Sequence, residues 1–302
     1  MTLAELQAAI TGRLGAGARF AEPLARHTTW GVGGPAWCLA RVGTAADAAW
    51  LRDAARAAGL TVKALGRGSN LLVSDAGYPG VLLRLWGPLA KIRVAGNELV
   101  CGGGAALPAA VRLAARVGLA GLEWAGGIPA TVGGAVATNA GALGGDLAGV
   151  AARLTLLLPD GRAEEFAGRE LPAAYRRREL PPGSLVLEAR LALAPDEPGQ
   201  VAERLAGILA RRRASQPLGS RTAGSVFKNP AGEAAGRLVD LAGLKGQRRG
   251  GARVSPQHAN FIENTGGATA ADIRELMALM AERVFQMHGV RLEPEVEVLG
   301  EV

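Results

Sequence analysis

The chain predicts an α+β fold in three sections. Helical-period segments and short alternating strands are interleaved, one strand pair closes through a tight turn, and composition changes past a Pro/Gly-rich stretch near residue 195. Thr2 to Leu14 reads as a short amphipathic helix, with Thr2 and Glu5 as a capping box and Gly15 or Gly17 as its end. A second helix is expected over 44–58, opened by Thr44-x-x-Asp47 and closed by Gly59. Short strands follow at 61–65, 71–73 and 81–85. Leu107-Pro108 begins a helix to Val117, with proline in the first turn and Gly118 as the stop. Segments 153–158 and 162–166 flank Pro159-Asp160-Gly161 as a hairpin, and 184–193 alternates with strand period. Pro195 to Gly199 reads as a linker. Beyond it helices are expected over 200–213, 233–242 and 269–288, the last with an apolar face of Ile273, Leu276, Met277, Met280 and Val284. The alternating segment 290–299 closes the chain as a strand.

The 302 residues suffice for a sizeable core and more than one domain. Hydrophobic residues make up 49% and charged residues 20%, a globular balance. A net charge of +7 suits either nucleic acid or a polyanionic small molecule. Aromatics are only 4% and do not interleave with the arginine runs 176–178, 211–213 and 248–249, which weakens a base-stacking platform; each run alone reads as a solvated face. Cys38 and Cys101 stand 63 positions apart and the three histidines are scattered, so neither a disulfide framework nor a zinc site is expected. The start lacks a basic segment followed by an apolar core, and no apolar run approaches a membrane span. The expectation is a cytoplasmic protein.

Gly121 to Gly145 carries eight glycines in 25 residues, with Glu123 as its sole charge. Its fillers are Trp124, Ile128, Val132, Val136, Leu143 and alanines, where a flexible linker would carry polar residues. Such glycines permit close backbone approach, either to a large anionic cofactor or to other parts of the chain. A second cluster, Gly66-Arg67-Gly68-Ser69-Asn70, follows an apolar strand and offers backbone donors, a hydroxyl and an amide, all suited to a pyrophosphate. It is not G-x-G-x-x-G, because position 71 is Leu. Gly31 to Ala36 does fit G-x-G-x-x-A, but Pro35 and the missing preceding strand argue against a Rossmann turn.

Eight motifs in order give the chain a family. They are HTTWGVGGPA (27–36), GRGSNLLVSDAGYPG (66–80), GLEWAGGIPATVGGAVATNAGA (121–142), Tyr175-Arg176, QPLGSRTAGSVFKNP (216–230), AGLKG (242–246), SPQHANFIEN (255–264) and LEPEVEVLG (292–300). On these the chain resembles the UDP-N-acetylenolpyruvoylglucosamine reductases, also called UDP-N-acetylmuramate dehydrogenases, of peptidoglycan precursor synthesis. The resemblance implies an FAD-binding fold of the vanillyl-alcohol oxidase type: a first subdomain of 1–85 with the strand 290–302, a second of 86–195, and a substrate-binding domain of 196–289. It implies FAD contacts at Gly66, Arg67, Gly68, Ser69, Asn70 and Leu71, and at Gly127, Ile128, Gly134, Ala135, Asn139 and Gly141. The implied reaction has NADPH reduce the flavin, which then delivers hydride to the outer vinyl carbon of UDP-N-acetylglucosamine enolpyruvate, with no nucleic acid, membrane or obligate protein partner.

For that chemistry the resemblance assigns Ser225 as proton donor, Arg176 as carboxylate binder and Glu295 as the glutamate that polarises the carboxylate, with Tyr175, Lys228 and Asn229 near substrate. From sequence Glu293 rivals Glu295. His258 is given a structural or substrate-side role. Two departures stand out. The family often reads Tyr-Arg-x-Ser-x-Phe, whereas this chain has Tyr175-Arg176-Arg177-Arg178-Glu179-Leu180. The interval from Tyr175 to Ser184 is too short for the tyrosine loop that covers substrate in one subgroup, so this chain resembles the subgroup without it. A related flavoprotein acting on an alcohol, or a nucleic-acid-binding protein, are the rival readings.

Overall fold

The computed structural model describes residues 1–301. Helices and short strands are interleaved throughout, as the α+β expectation requires. The chain groups into two compact units, one of 1–20, 38–66 and 80–211, the other of 21–37, 67–79 and 212–302.

Helix α1 (Leu3–Leu14) carries the expected capping box: Glu5 N–H donates to Thr2 Oγ1 (3.2 Å) and Thr2 N–H to Glu5 Oε2 (2.8 Å). Helix α2 (Ala45–Ala57) is opened by Thr44, whose hydroxyl accepts from Asp47 N–H, and α3 (Leu107–Arg116) begins with its proline in the first turn. The first unit's main sheet is antiparallel, in the order 163–167, 151–157, 185–192, 98–102, 92–95. Its core collects Leu99, Cys101, Val111, Leu122, Leu154, Leu156 and Leu191. The short helices α4 (Val132–Ala137) and α5 (Leu147–Val150) follow the glycine-rich stretch, and α4 packs on strand Leu185–Ala192. Cys38 and Cys101 are buried thiols, each pushed up to about 12 by burial, and so are inert apolar filling.

Residues 195–199 are not a free linker. Ala194–Pro195 pairs with Leu119–Ala120, Asp196 N–H donates to the Gly118 carbonyl (2.8 Å), and α6 (Pro198–Ser215) already starts at Pro198. Proline lacks an N–H that a first helical turn would leave unpaired, so Pro198 starts a helix as readily as it breaks one.

In the second unit, α7 (Ala235–Leu241) and α8 (Ala270–His288) share a core with Trp30, Leu72, Phe227, Val254 and Ile262. Helix α8 is capped by Thr269 and Asp272, and Asp75 accepts from both Ala270 N–H (2.8 Å) and Ala271 N–H (3.1 Å). Only Glu297–Leu299 of the expected terminal strand is regular, and it pairs in parallel with Leu71–Val73. Pro294 cannot donate to a ladder, which reduces the preceding stretch to an isolated bridge with Phe227. Among the described residues no helix is long and apolar enough to cross a membrane.

Candidate active site

The second unit brings three distant motifs onto neighbouring segments. Asn70 Nδ2 donates to the Glu295 carbonyl (3.0 Å), and Glu297 N–H donates to the Asn70 carbonyl (3.0 Å). On the other side Glu295 N–H donates to the Val226 carbonyl (2.9 Å), and Lys228 N–H to the Glu293 carbonyl (2.8 Å). The strip 225–228 is held in turn by 258–264. Ser225 bridges Phe261, and Val226 N–H donates to the Asn260 carbonyl (2.9 Å). The Asn260 side chain clamps Phe227 at two points, accepting from its N–H (3.1 Å) and donating to its carbonyl (2.8 Å). Loop 67–71, Ser225 and Glu295 are thereby fixed by one continuous set of main-chain bonds.

The two rival glutamates are both tied into this ladder through their main chains and differ in exposure: Glu293 is exposed and its side chain forms an ion pair with Lys228, whereas Glu295 is half-buried. Asn229 Oδ1 accepts from Ala235 N–H (3.0 Å) at the start of α7. His258 is packed against Phe261 with ring centroids 4.6 Å apart, and its Nδ1 accepts from Asn260 N–H (3.3 Å). Burial pulls its pKa below the ordinary imidazole value.

Loop 66–70 is shaped by its glycines. Gly68 has φ +63°, and a Cβ there would lie 2.1 Å from the His27 carbonyl oxygen. Thr29 N–H donates to the Gly68 carbonyl (3.1 Å), which ties the loop to the HTTW motif. Among the described residues no acceptor meets the main-chain N–H of Arg67, Gly68, Ser69 or Asn70. Four consecutive unmet donors around a left-handed glycine form a concavity suited to anionic oxygens.

In the first unit the candidates cluster around Asn139 and Arg176. Asn139 is buried at φ +44°; its Nδ2 donates to Asp146 Oδ2 and to the Ala174 carbonyl (3.0 Å each), and its Oδ1 accepts from Ala148 N–H (2.9 Å). Its side chain is thus engaged inside the protein. Tyr175 and Arg176 form the two-residue tip of a hairpin in which Ala173 faces Arg178 and Ala174 faces Arg177. Arg176 has φ +57°, a strained value for a side-chain-bearing residue, and its Nη1 donates to the Gly141 carbonyl (2.7 Å). Its guanidinium lies 5.1 Å from the Tyr175 ring centroid.

The second glycine-rich segment is knit to its own unit. The Thr131 hydroxyl accepts from Gly134 N–H, and its carbonyl from Ala135 N–H (2.9 Å). Val132 and Gly133 donate to the Ala105 and Gly103 carbonyls (2.8 Å each), and Ile128 to Ala125 (3.1 Å). A Cβ at Gly141 would meet Asp146 at 2.8 Å, at Gly145 the Trp124 ring at 2.4 Å, and at Gly66 the Thr131 hydroxyl at 2.7 Å. Gly127 adopts φ +84°, and exposed Gly134 leaves room, with only Thr131 Oγ1 within reach at 3.2 Å.

Known proteins share these motifs and this fold. Residues 36–167 match the FAD binding domain family, and 216–299 match the C-terminal domain family of UDP-N-acetylenolpyruvoylglucosamine reductase. UDP-N-acetylenolpyruvoylglucosamine reductase 2 of Symbiobacterium thermophilum is 47% identical over 283 residues, 93% of this chain and 92% of its own length. The reductase of Moorella thermoacetica is 45% identical over 282 residues, with the same coverage of 93% and 92%. The crystal structure of UDP-N-acetylenolpyruvylglucosamine reductase from Thermus caldophilus matches with a TM-score of 0.82 and 39% identity, across 94% of this chain and 98% of that one. The chain belongs to the UDP-N-acetylenolpyruvoylglucosamine reductase family. It is an FAD-binding oxidoreductase.

For a member of this family, the unmet donors of loop 67–70 suit the oxygens of a diphosphate such as that of FAD. Two residues left without a role by the motifs act in the fold: Thr131 caps α4 at Gly134, and Asn260 clamps Phe227 beside Ser225. Their signals were present in the motifs as a helix-capping hydroxyl and an amide able to imitate a strand.

Proposed function

We propose that the chain reduces UDP-N-acetylglucosamine enolpyruvate to UDP-N-acetylmuramate with NADPH, in the cytoplasm, as a step of peptidoglycan precursor synthesis. The observation that carries this reading is the ladder joining Asn70, Glu295 and Ser225–Phe227. It couples a loop with spare anion donors to the two groups suited to proton handling. When bound, FAD supplies a carrier that accepts hydride from NADPH and passes it to the outer vinyl carbon.

The residues of this chain handle what that transfer leaves behind. Arg176 offers paired N–H groups to the substrate carboxylate, where charge collects as hydride arrives. Glu295, carrying its proton, donates a hydrogen bond that polarises the same carboxylate. Ser225 then gives its hydroxyl proton to the carbon beside the carboxylate, completing the lactyl ether. A serine hydroxyl is a weak acid, so it donates only to a base as strong as that carbanion. Tyr175, Lys228 and Asn229 position the sugar nucleotide, and the net charge of +7 favours its diphosphate over neutral competitors. We keep the three-part division of labour read from sequence, with 1–85 and 290–302 and then 86–195 for flavin, and 196–289 for substrate.

Ser225→Ala in the holoenzyme tests the reading. NADPH bleaches its flavin within about twofold of the wild-type rate, while reoxidation by the enolpyruvyl substrate falls by about 10²- to 10⁴-fold. Equal slowing of both halves removes Ser225 from proton transfer.

A further inference from the structure

Arg178 sits at the base of the hairpin that carries Arg176, opposite Ala173, and is only 6% exposed. Its Nη2 donates to the Gly168 carbonyl (2.7 Å). Gly168 is locked against the main sheet, because a Cβ there would lie 1.9 Å from the Ala151 carbonyl oxygen. The other two guanidinium nitrogens, Nε and Nη1, are buried and have no hydrogen-bond partner among the described residues. Burial pulls the Arg178 pKa down, and the charge of Asp146 opposes that fall. Asp146 belongs to the neighbouring hairpin, 141–142 with 145–146, and accepts from Asn139, which also donates to Ala174 of the Arg178 hairpin.

A buried cation with two idle donors is a costly way to fill space. A side chain selected for packing alone would be apolar, or a small hydroxyl like the serine of the pattern Tyr-Arg-x-Ser. What Arg178 adds is a charged tie under the tip that presents Arg176. One end grips the sheet rim at Gly168, and its charge draws on Asp146, next to the segment whose Gly141 carbonyl receives the Arg176 guanidinium. We propose that Arg178 is a positioning residue for Arg176, holding the hairpin so that the carboxylate-binding guanidinium keeps its place while the substrate is reduced. This rests on the carboxylate-binding role proposed for Arg176.

Stopped-flow measurement of both flavin half-reactions in the holoenzyme tests it, with Arg178→Met, Arg178→Ser, Arg178→Lys and the Arg176→Gly background. Glycine suits the left-handed φ of position 176, so Arg176→Gly deletes the guanidinium without backbone strain. The expected result for Arg178→Met and Arg178→Ser is reoxidation by the enolpyruvyl substrate slowed about 10- to 100-fold, with NADPH reduction within about twofold of wild type. Arg178→Lys, which keeps the charge, restores most of the loss. In the Arg176→Gly background Arg178→Met adds less than about twofold, because a residue acting through Arg176 has nothing left to position. The proposal is overturned if both halves slow by the same factor, if reoxidation stays at wild-type speed, or if the two losses multiply. An Arg176→Gly enzyme that reoxidises normally sinks the role of Arg176, and the proposal with it. An Arg176→Gly enzyme that fails beside an unimpaired Arg178→Met sinks the proposal alone.

Discussion

The two glycine-rich regions look alike in composition and differ in what their backbones do. Loop 66–70 has glycines that bring it against His27 and Thr131, yet four successive N–H groups are left without partners among the described residues. Segment 121–145 holds eight glycines to the loop's two, but the N–H groups of Gly126, Ile128, Val132, Gly133, Gly134 and Ala135 all donate within the protein. Missing side chains at Gly133, Gly141 and Gly145 make room for Gly103, Asp146 and Trp124. Glycine content therefore marks close approach but does not say what approaches. Unmet donors point to a ligand, and filled contacts point to packing.

Four substitutions sharpen or break that contrast. Gly68→Ala has the largest expected effect, since its Cβ would overlap the His27 carbonyl at 2.1 Å in a left-handed backbone. The loop must rearrange, and the purified protein is expected to lose both flavin absorbance and about 3 kcal/mol or more of stability. Gly145→Ala crowds the Trp124 ring at 2.4 Å and is expected to lower stability by about 1–3 kcal/mol, seen as a shift in Tm. Its folded fraction keeps one flavin per chain; loss of flavin at unchanged Tm would show that this glycine faces the cofactor. Gly134→Ala reverses the pattern. With only Thr131 Oγ1 nearby it should leave Tm unchanged or raise it by helix propensity of up to about 1 kcal/mol, while flavin affinity falls about tenfold, as titration of the apoprotein would read.

The smallest effect is a pH dependence confined to the second segment. Burial works to raise the Glu123 pKa, but the Gly121 amide (2.6 Å) and Arg204 (3.0 Å) outweigh it and hold the carboxyl below its usual value. A carboxylate depressed in the folded state stabilises fully above its unfolded pKa, and that contribution is lost as pH falls through the lower folded value. Glu123→Gln is expected to cost about 1 kcal/mol at pH 7 and to flatten the acid limb of a stability–pH curve. An unchanged acid limb would mean that Glu123 does not anchor the segment.

Much of the fold was legible because its signals are local. The capping box at Thr2, the Thr44 cap of α2, the proline opening α3, and the 151–157 and 163–167 hairpin each depend on residues within a turn of one another. One miss arose where a distant partner decides: residues 195–199 read as a linker until Leu119–Ala120 paired with 194–195. The other overlooked a local signal, because Pro294 within 290–299 limits that stretch to a bridge ahead of Glu297–Leu299. At the site, the motifs named Ser225, Arg176 and Glu295, and only the fold shows that Glu293 is exposed and paired with Lys228 while Glu295 is half-buried. The resemblance implied an FAD contact at Asn139, and only the fold shows that its side chain fastens Ala174 and Asp146.

The sequence by itself determined the α+β class, the family and the residue types available for hydride and proton chemistry, since each is written in short windows of chain. The tertiary structure decided which N–H groups stay open, which glutamate is exposed to pair with Lys228, and that Arg178 lies buried beneath the Arg176 tip. Those properties belong to pairs of residues far apart in sequence. Hydrogen bonding and burial act through space, so they come into being only when the chain has folded.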